Sequence, residues 1–563
     1  MKKSKKDSSK KIKRDLSNKV VNLFTKTGFT HINSEGKHIE YENVKTELDA
    51  IFLYENLVII EEHTTLQDVS DHLRKKETFF EAVFIDISKF IVFLSKNFNK
   101  IKSHLNKHSQ YSITDYKLVY VYSSYHPIKG KLKEKYSRTC FLDYLFLEYF
   151  TSLTNTIEKS ARFELYRFLG IEKKDLCPST GNDSKEIEVT LLPEARSGFD
   201  KGFDVVTFHI DPETLIELSY VLRRDGNWLD NDALYQRILI PSKIKNIRDY
   251  IALNKKVFIN NLIVTLPENT KFINDNLKTE NISQAQQAKI SIPLEYNSIG
   301  IVDGQHRLYA YHEGIEKDKI EKKISVERKK QNLLITGIIY PRGYSDKQKL
   351  EFDSRMFLEI NDKQTRVYPS LRQVIRKYTE PFLDISIAKA VAENLTKDGP
   401  LKDILESNYF DKGKVKTTSI VSYGLKLLVK VDGKDSLFNG WSNKRKKQLS
   451  KEKNIKILNE YIQYCTAELN LIFSSFREEI SKKGLFTLDQ RISRALTATS
   501  INGIIYCLRS ILQEKKKRKR ENYRRGFSKL SIDYSPQNFK YKSSHWKSLG
   551  DEIYKQCFKR QRK

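Results

Sequence analysis

The stretch SIGIVDGQHRLYAYHEG, residues 298–314, constrains this chain more than any other. Ile299, Ile301 and Val302 form a short apolar run that reads as a strand. The polar turn Asp303-Gly304-Gln305-His306-Arg307 follows. After it comes a helical phrase, with Tyr311 one turn past Arg307 and Gly314 placed as a stop. A strand that delivers a glycine turn to a helix start is an anion site in outline. The first helical N–H groups have no partners, and the helix dipole favours negative charge there. Gln305, His306 and Arg307 add side-chain donors suited to phosphate oxygens. The plainer alternative is a surface turn capped by a histidine whose bonds are all internal.

Charge bears on what such a site serves. The chain has 563 residues and a formal net charge of +30. Three runs supply +18 of it: residues 1–14 (+7), 442–453 (+5) and 514–525 (+6). Clustered positive charge is the footprint of a polyanion binder, although the chain is Lys-rich throughout. DNA is the expected partner. An apolar fraction of 39% is enough for real cores, and the length suits three or four domains. Cys140, Cys177, Cys465, Cys507 and Cys557 are scattered, with no CxxC, so neither a disulfide framework nor a cysteine zinc site is indicated. The most apolar stretch, residues 82–94, is broken by Asp86 and Lys89 and is too short to span a membrane. A cytoplasmic location is expected.

Along the chain, residues 1–14 read as a basic disordered tail and 15–28 as a helix ended by Gly28. TELDAIFLY and LVIIEEHTT read as a β-hairpin around Glu55-Asn56, and KLVYVYSS, residues 117–124, as a strand of the same sheet. Asp49, Glu61 and His63 then converge on one face of the hairpin. Two carboxylates from paired strands can hold a divalent metal, and a basic group two residues on can position water or phosphate. This block, residues 15–180, resembles the restriction-endonuclease-like nuclease core, in which an Asp closes one strand and Glu-x-Lys lies on the next. The resemblance implies Asp49 and Glu61 as metal ligands, His63 in the lysine's place, Glu47 as an accessory carboxylate and Glu62 facing away. A neutral imidazole is a weaker phosphate partner than an ammonium. An active nuclease, a catalytically dead DNA-binding relative and an unrelated hairpin therefore all remain open.

Residues 187–379 read as strand 202–212, a helix after Asp211-Pro212, helix 243–254, strand 257–266, the DGQHR turn, strand 333–341 and a helix opened by the Ser345-x-x-Gln348 capping box. The pentapeptide DGQHR in this setting resembles the signature of DGQHR-domain proteins, which include DndB-like and DpdB-like components of DNA-modification systems. It is also similar to the nucleotide-contacting turn of the ParB/sulfiredoxin superfamily. The resemblance implies an ATP-like nucleoside triphosphate with Mg²⁺, held by Asp303, Gly304, Gln305, His306 and Arg307. Gln236, Arg237, Asn361 and Gln364 join them from neighbouring elements. It also implies phosphorothioation or a related DNA modification, an antiviral-defence context, and partner proteins of the same cassette. Residues 380–513 read as mostly helical and 514–563 as a basic tail carrying Tyr523, Phe527, Tyr534, Tyr541 and Trp546, a mixture that can grip single strands. The expected class is α/β (α+β). The functional expectation is a nucleotide-responsive DNA-binding protein. The alternatives are a metal-dependent nuclease and a DNA-binding transcriptional regulator without nucleotide chemistry.

Overall fold

The computed structural model describes residues 2–176, 184–199, 201–221, 239–273, 282–364, 369–407, 411 and 413–559. It divides into two compact units, Met1–Asp353 and Ser354–Lys563.

The first unit opens on a helix, Lys2–Lys26, so the basic run that reads as a tail is the first half of that helix. No Gly or Pro interrupts it, and lysine is a good helix former. Leu16, Val20, Leu23 and Phe24 bury its later turns. Seven strands follow: β1 (Thr30–Asn33), β2 (His38–Tyr41), β3 (Val44–Glu47), β4 (Ala50–Tyr54), β5 (Leu57–Thr64), β6 (Lys117–Ser124) and β7 (Thr139–Leu142). They form a five-stranded sheet in the order β1-β4-β5-β6-β7 and a separate β2-β3 ribbon. The hairpin β4-β5 is antiparallel, and β6 joins it parallel to β5, as the sequence indicated. Ile51, Leu53, Val58, Ile60, Tyr120 and Tyr122 share one face with Leu73, Phe79, Phe80, Phe90 and Ile91 from helices Ser70–Ile85 and Ile87–Asn97. On the other face Phe24 stacks on Phe52, with ring centres 4.4 Å apart.

The second sheet comprises β8 (Ser184–Leu192), β9 (Asp204–Ile210), β10 (Ser219–Val221), β11 (Leu262–Thr265), β12 (Lys271–Phe272), β13 (Gln286–Pro293), β14 (Ile299–Asp303) and β15 (Leu333–Ile339). Its order is β10-β14-β11-β15-β9-β8-β13-β12. The apolar β15 is internal, parallel to β11 and antiparallel to β9. Asp211 caps helix Pro212–Leu218 by accepting from the Thr214 N–H at 2.7 Å. The Ser345/Gln348 box opens helix Asp346–Gln364, with Gln348 Oε1 accepting from the Ser345 N–H at 3.0 Å.

The second unit is helical. Helices Ile455–Lys482 and Ala498–Gln513 carry much of its core. Residues 514–559 do not behave as a tail. Helices Arg520–Phe527 and Trp546–Cys557 pack into that core, with Tyr523, Phe527, Tyr534, Leu549 and Ile553 fully buried. Aromatic burial outweighed the flanking charge, so these rings are core rather than a stacking surface for bases. The mixed α/β class is the one the sequence indicated.

Candidate functional site

The strand β14 runs between β10 and β11 and carries Asp303 to the sheet's rim. Gly304 has φ +98°. A Cβ there would lie 2.7 Å from Leu262 Cγ and 3.1 Å from Arg307 Nη2, so only glycine fits the turn. The helix that follows is Gln305–Tyr309, five residues, and it does not continue to Gly314. The next carbonyls are engaged by arginines instead. Arg248 Nη1 donates to the Ala310 and His312 carbonyls, and Arg328 to those of Tyr311 and His312. A helix this short has little dipole, so the anion argument rests on the side chains.

Those side chains are tightly placed. Arg307 Nη2 donates to Asp303 Oδ2 at 2.8 Å, and only 15% of the Arg307 side chain is exposed. His306 is buried, and its Nε2 accepts from the Ile240 N–H at 2.9 Å, which puts the ring proton on Nδ1. Gln305 is 2% exposed, and among the described residues neither its Oε1 nor its Nε2 has a hydrogen-bond partner. Gln236 and Arg237 lie outside the described residues. Asn361 and Gln364 lie in the last turn of helix Asp346–Gln364, and their side chains too lie outside what is described.

The N-terminal cluster is organised differently from its sequence reading. The chain breaks at Leu48-Asp49, so β3 pairs with β2 while β4 joins the main sheet. Glu47 consequently belongs to the ribbon and accepts from the Gly36 N–H at 2.5 Å. Asp49 Oδ2 accepts from the His63 N–H at 2.9 Å and lies 3.6 Å from His63 Nδ1. Glu61 Oε2 is 3.2 Å from that same Nδ1. Burial lowers the His63 pKa, but the Glu61 bond and the charges of Glu61 and Asp49 outweigh it and hold the value above normal. A cation is therefore favoured where the resemblance expects a lysine. Glu61 Oε1 and His63 Nε2 are buried without partners.

Glu62 alternates to the face of β5 opposite Glu61 and His63, yet the Asp49 charge still acts on it. Lys76 Nζ, from helix Ser70–Ile85, pairs with Glu62 Oε2 at 2.7 Å and also bonds the Glu47 carbonyl. Burial raises the Glu62 pKa well above normal against the pull of Lys76, and the Asp49 charge raises it further. Tyr122 Oη lies 2.7 Å from His72 Nδ1, and the Glu62 and Asp49 charges both act on this tyrosine. Lys76 escapes a sequence motif because it comes from a helix, outside the strand pair.

Of the basic runs, Lys515, Lys517, Lys519, Arg520 and Arg525 are exposed. Others serve the fold: Arg518 pairs with Glu468 at 2.5 Å, and Arg524 with Glu478 at 2.8 Å. In the second run Lys444, Lys447, Lys451 and Lys453 are exposed, while Arg445 pairs with Glu460 at 2.7 Å.

Residues 204–554 match the family model described as DndB, DNA-sulfur modification-associated. The chain belongs to the DndB family. The match begins at β9, takes in β14 and the DGQHR turn, and runs to helix Trp546–Cys557. The five-stranded N-terminal sheet lies before it. No curated protein and no solved structure matches the chain. Membership in the DndB family makes this a component of a DNA-sulfur modification system. No helix among the described residues is long and apolar enough to cross a membrane.

Proposed function

We propose that this DndB-family chain is the nucleotide-responsive, DNA-contacting member of its modification cassette, and that the DGQHR turn holds a nucleoside triphosphate with Mg²⁺. The observation that carries this is Gln305. Its amide offers two donors and two acceptor sites, and among the described residues neither its Oε1 nor its Nε2 finds a hydrogen-bond partner. An unsatisfied buried polar group costs about 1–3 kcal/mol, so its persistence points to a ligand that completes it. Gly304 permits the turn itself, with Leu262 and Arg307 closing over the position a side chain would take. Arg307, steered by Asp303, has guanidinium donors to spare beyond the one that bonds Asp303. His306, fixed by the Ile240 N–H, shapes the wall of the site. Bound Mg²⁺ would neutralise phosphate charge and has Asp303 as its nearest carboxylate within the motif. The resemblance adds Gln236 and Arg237 to the binding set. Occupancy would act as a switch on a DNA-bound state, with hydrolysis resetting it. Isothermal titration with ATP, GTP and CTP, each with Mg²⁺, tests the reading. One nucleotide should bind one-to-one, at least about tenfold more weakly in Gln305→Ala and His306→Ala. No binding to the unaltered protein rejects the nucleotide and leaves a regulator that holds DNA by charge.

A second reading, a metal-dependent DNA nuclease in the N-terminal sheet, is favoured by one observation: Lys76, paired with Glu62, supplies an ammonium that the Glu61-x-His63 phrase lacks. Plasmid cleavage with Mg²⁺ or Mn²⁺, lost in Asp49→Ala and Lys76→Met with DNA binding retained, supports it. No cleavage with either metal reduces this sheet to a binding module.

A further inference from the structure

Outside both clusters, one group of potential metal ligands stands out among the described residues. A donor atom each from Glu158, His312 and Asp318 lies within 4.8 Å of the other two. Three points with mutual separations of at most 4.8 Å have a common centre no farther than 4.8/√3, about 2.8 Å, from each. Zinc bonds to nitrogen and carboxylate oxygen are about 2.0–2.2 Å, so inward rotations of under about 1 Å per donor would close a coordination shell.

Each donor is already oriented. His312 is 5% exposed, and its Nδ1 is 2.7 Å from the Tyr309 carbonyl, which takes the Nδ1 proton. The Nε2 lone pair is thereby left as the ligand atom, and no described residue hydrogen-bonds it. This is the arrangement by which a backbone carbonyl fixes the tautomer of a metal-binding histidine. Asp318 Oδ1 accepts from the Ile320 N–H at 3.0 Å, and Oδ2 from Arg248 Nη2 at 2.6 Å. Glu158 Oε2 accepts from the Ile315 N–H at 2.7 Å. Room for Asp318 comes from Gly314, where a Cβ would lie 2.5 Å from Asp318 Oδ2.

The backbone agrees. Glu158 has φ +45° and ψ −121°, a conformation that glycine adopts readily and other residues avoid. It is held there by bonds on both sides: the Lys159 N–H to the Glu313 carbonyl at 3.1 Å, and the Glu313 N–H to Ser160 Oγ at 2.8 Å. Asp318 and Glu321 pair with Arg248 and Arg328, and Arg248 Nη2 is shared between Asp318 and Glu321 at 2.6 Å each.

We propose that Glu158, His312 and Asp318 bind one divalent transition cation of the zinc type. One imidazole with two carboxylates suits zinc or manganese better than calcium, which takes oxygen ligands. The ion would fasten the segment after helix Tyr144–Ile157 to the loop that follows the DGQHR helix, independently of any nucleotide.

The test uses the full chain, stripped with EDTA and titrated with Co²⁺ as a spectroscopic stand-in, then with competing Zn²⁺. One equivalent should saturate a visible ligand-field band that Zn²⁺ abolishes. His312→Gln should lose the band. Glu158→Gly removes a ligand while suiting the backbone better, so it should fold normally and bind at least about tenfold more weakly. Asp432→Ala, at a side chain 80% exposed, should bind as the unaltered chain does. The site is wrong if no single equivalent saturates, if Glu158→Gly and His312→Gln both bind normally, or if Asp432→Ala loses the metal as they do.

Discussion

Replacing Gly304 by alanine tests the geometry on which the phosphate reading depends. At φ +98° an alanine meets its own backbone, at a cost of about 1–2 kcal/mol. Its methyl must also displace Leu262 Cγ, 2.7 Å away and fully buried, and press on the Arg307 guanidinium at 3.1 Å. Overpacking of this kind costs about 1–3 kcal/mol. The sum is about 2–5 kcal/mol. At about 2.1 cal/mol/K per residue, unfolding of the unit Met1–Asp353 carries an entropy of about 0.7 kcal/mol/K, so Tm should fall by about 3–7 °C. Gly198→Ala is the control. That glycine also has a positive φ, +64°, but nothing lies within 4 Å of its Cβ position, so only the backbone cost applies. Calorimetry of both variants separates crowding from conformation. Equal melting temperatures for the two would refute the claim that the turn is closed around Gly304. In the nucleotide titration Gly304→Ala should also bind more weakly than Gly198→Ala.

Three further outcomes follow from the same structure. Burial pushes the Asp353 carboxyl up to about 7 although Tyr340 donates to it at 2.5 Å. The folded state then keeps a proton that the unfolded chain releases, so stability falls as pH rises from about 4 through about 7, by at most about 4 kcal/mol. Asp353→Asn should flatten that slope in melts between about pH 5 and pH 8, and an unchanged slope would exclude Asp353 as its source. Lys76→Met leaves Glu62 buried and unpaired, which costs about 3–5 kcal/mol, and the loss should be smaller at pH 5 than at pH 8 because a raised pKa lets Glu62 take up a proton. Adding Glu62→Gln should recover most of the loss at pH 8; failure to recover it means that Lys76 acts through packing. Replacing the exposed Lys515, Lys517, Lys519 and Arg520 by serine should cut the log–log salt slope of DNA affinity by up to about 0.9 per lost phosphate contact, while Tyr523→Phe leaves it unchanged.

Local patterning carried the expectations that held. The alternating hairpin β4-β5, the strand β6, the apolar β15, the Asp211 cap and the Ser345 box are each written in a few neighbouring residues. The expectations that failed depend on partners distant in sequence. Nothing near Tyr309 says that its helix ends there; the reason is Arg248, about sixty residues earlier, and Arg328. Glu62 carries a partner the strand pattern does not show, because Lys76 reaches it from helix Ser70–Ile85. Residues 514–563 looked soluble by charge, yet Tyr523, Phe527 and Tyr534 follow a helical core that lysines only flank. The alternation in β8 and β13, with every second residue turned inward, was legible and was missed. Glu158 and His312 could not be joined on paper, being 154 positions apart in the chain and on different elements.

The two arginines that grip the Ala310, Tyr311 and His312 carbonyls have a mechanical consequence. Arg248 is rooted in helix Pro241–Asn254, and Arg328 in helix Glu321–Lys330. A tug on the DGQHR loop is therefore resisted by two levers, and a push on either helix is felt at the motif. Ile240, which precedes the first of these helices, touches His306 directly and closes the linkage into a loop. A strain on the motif from any side is therefore shared by both helices at once.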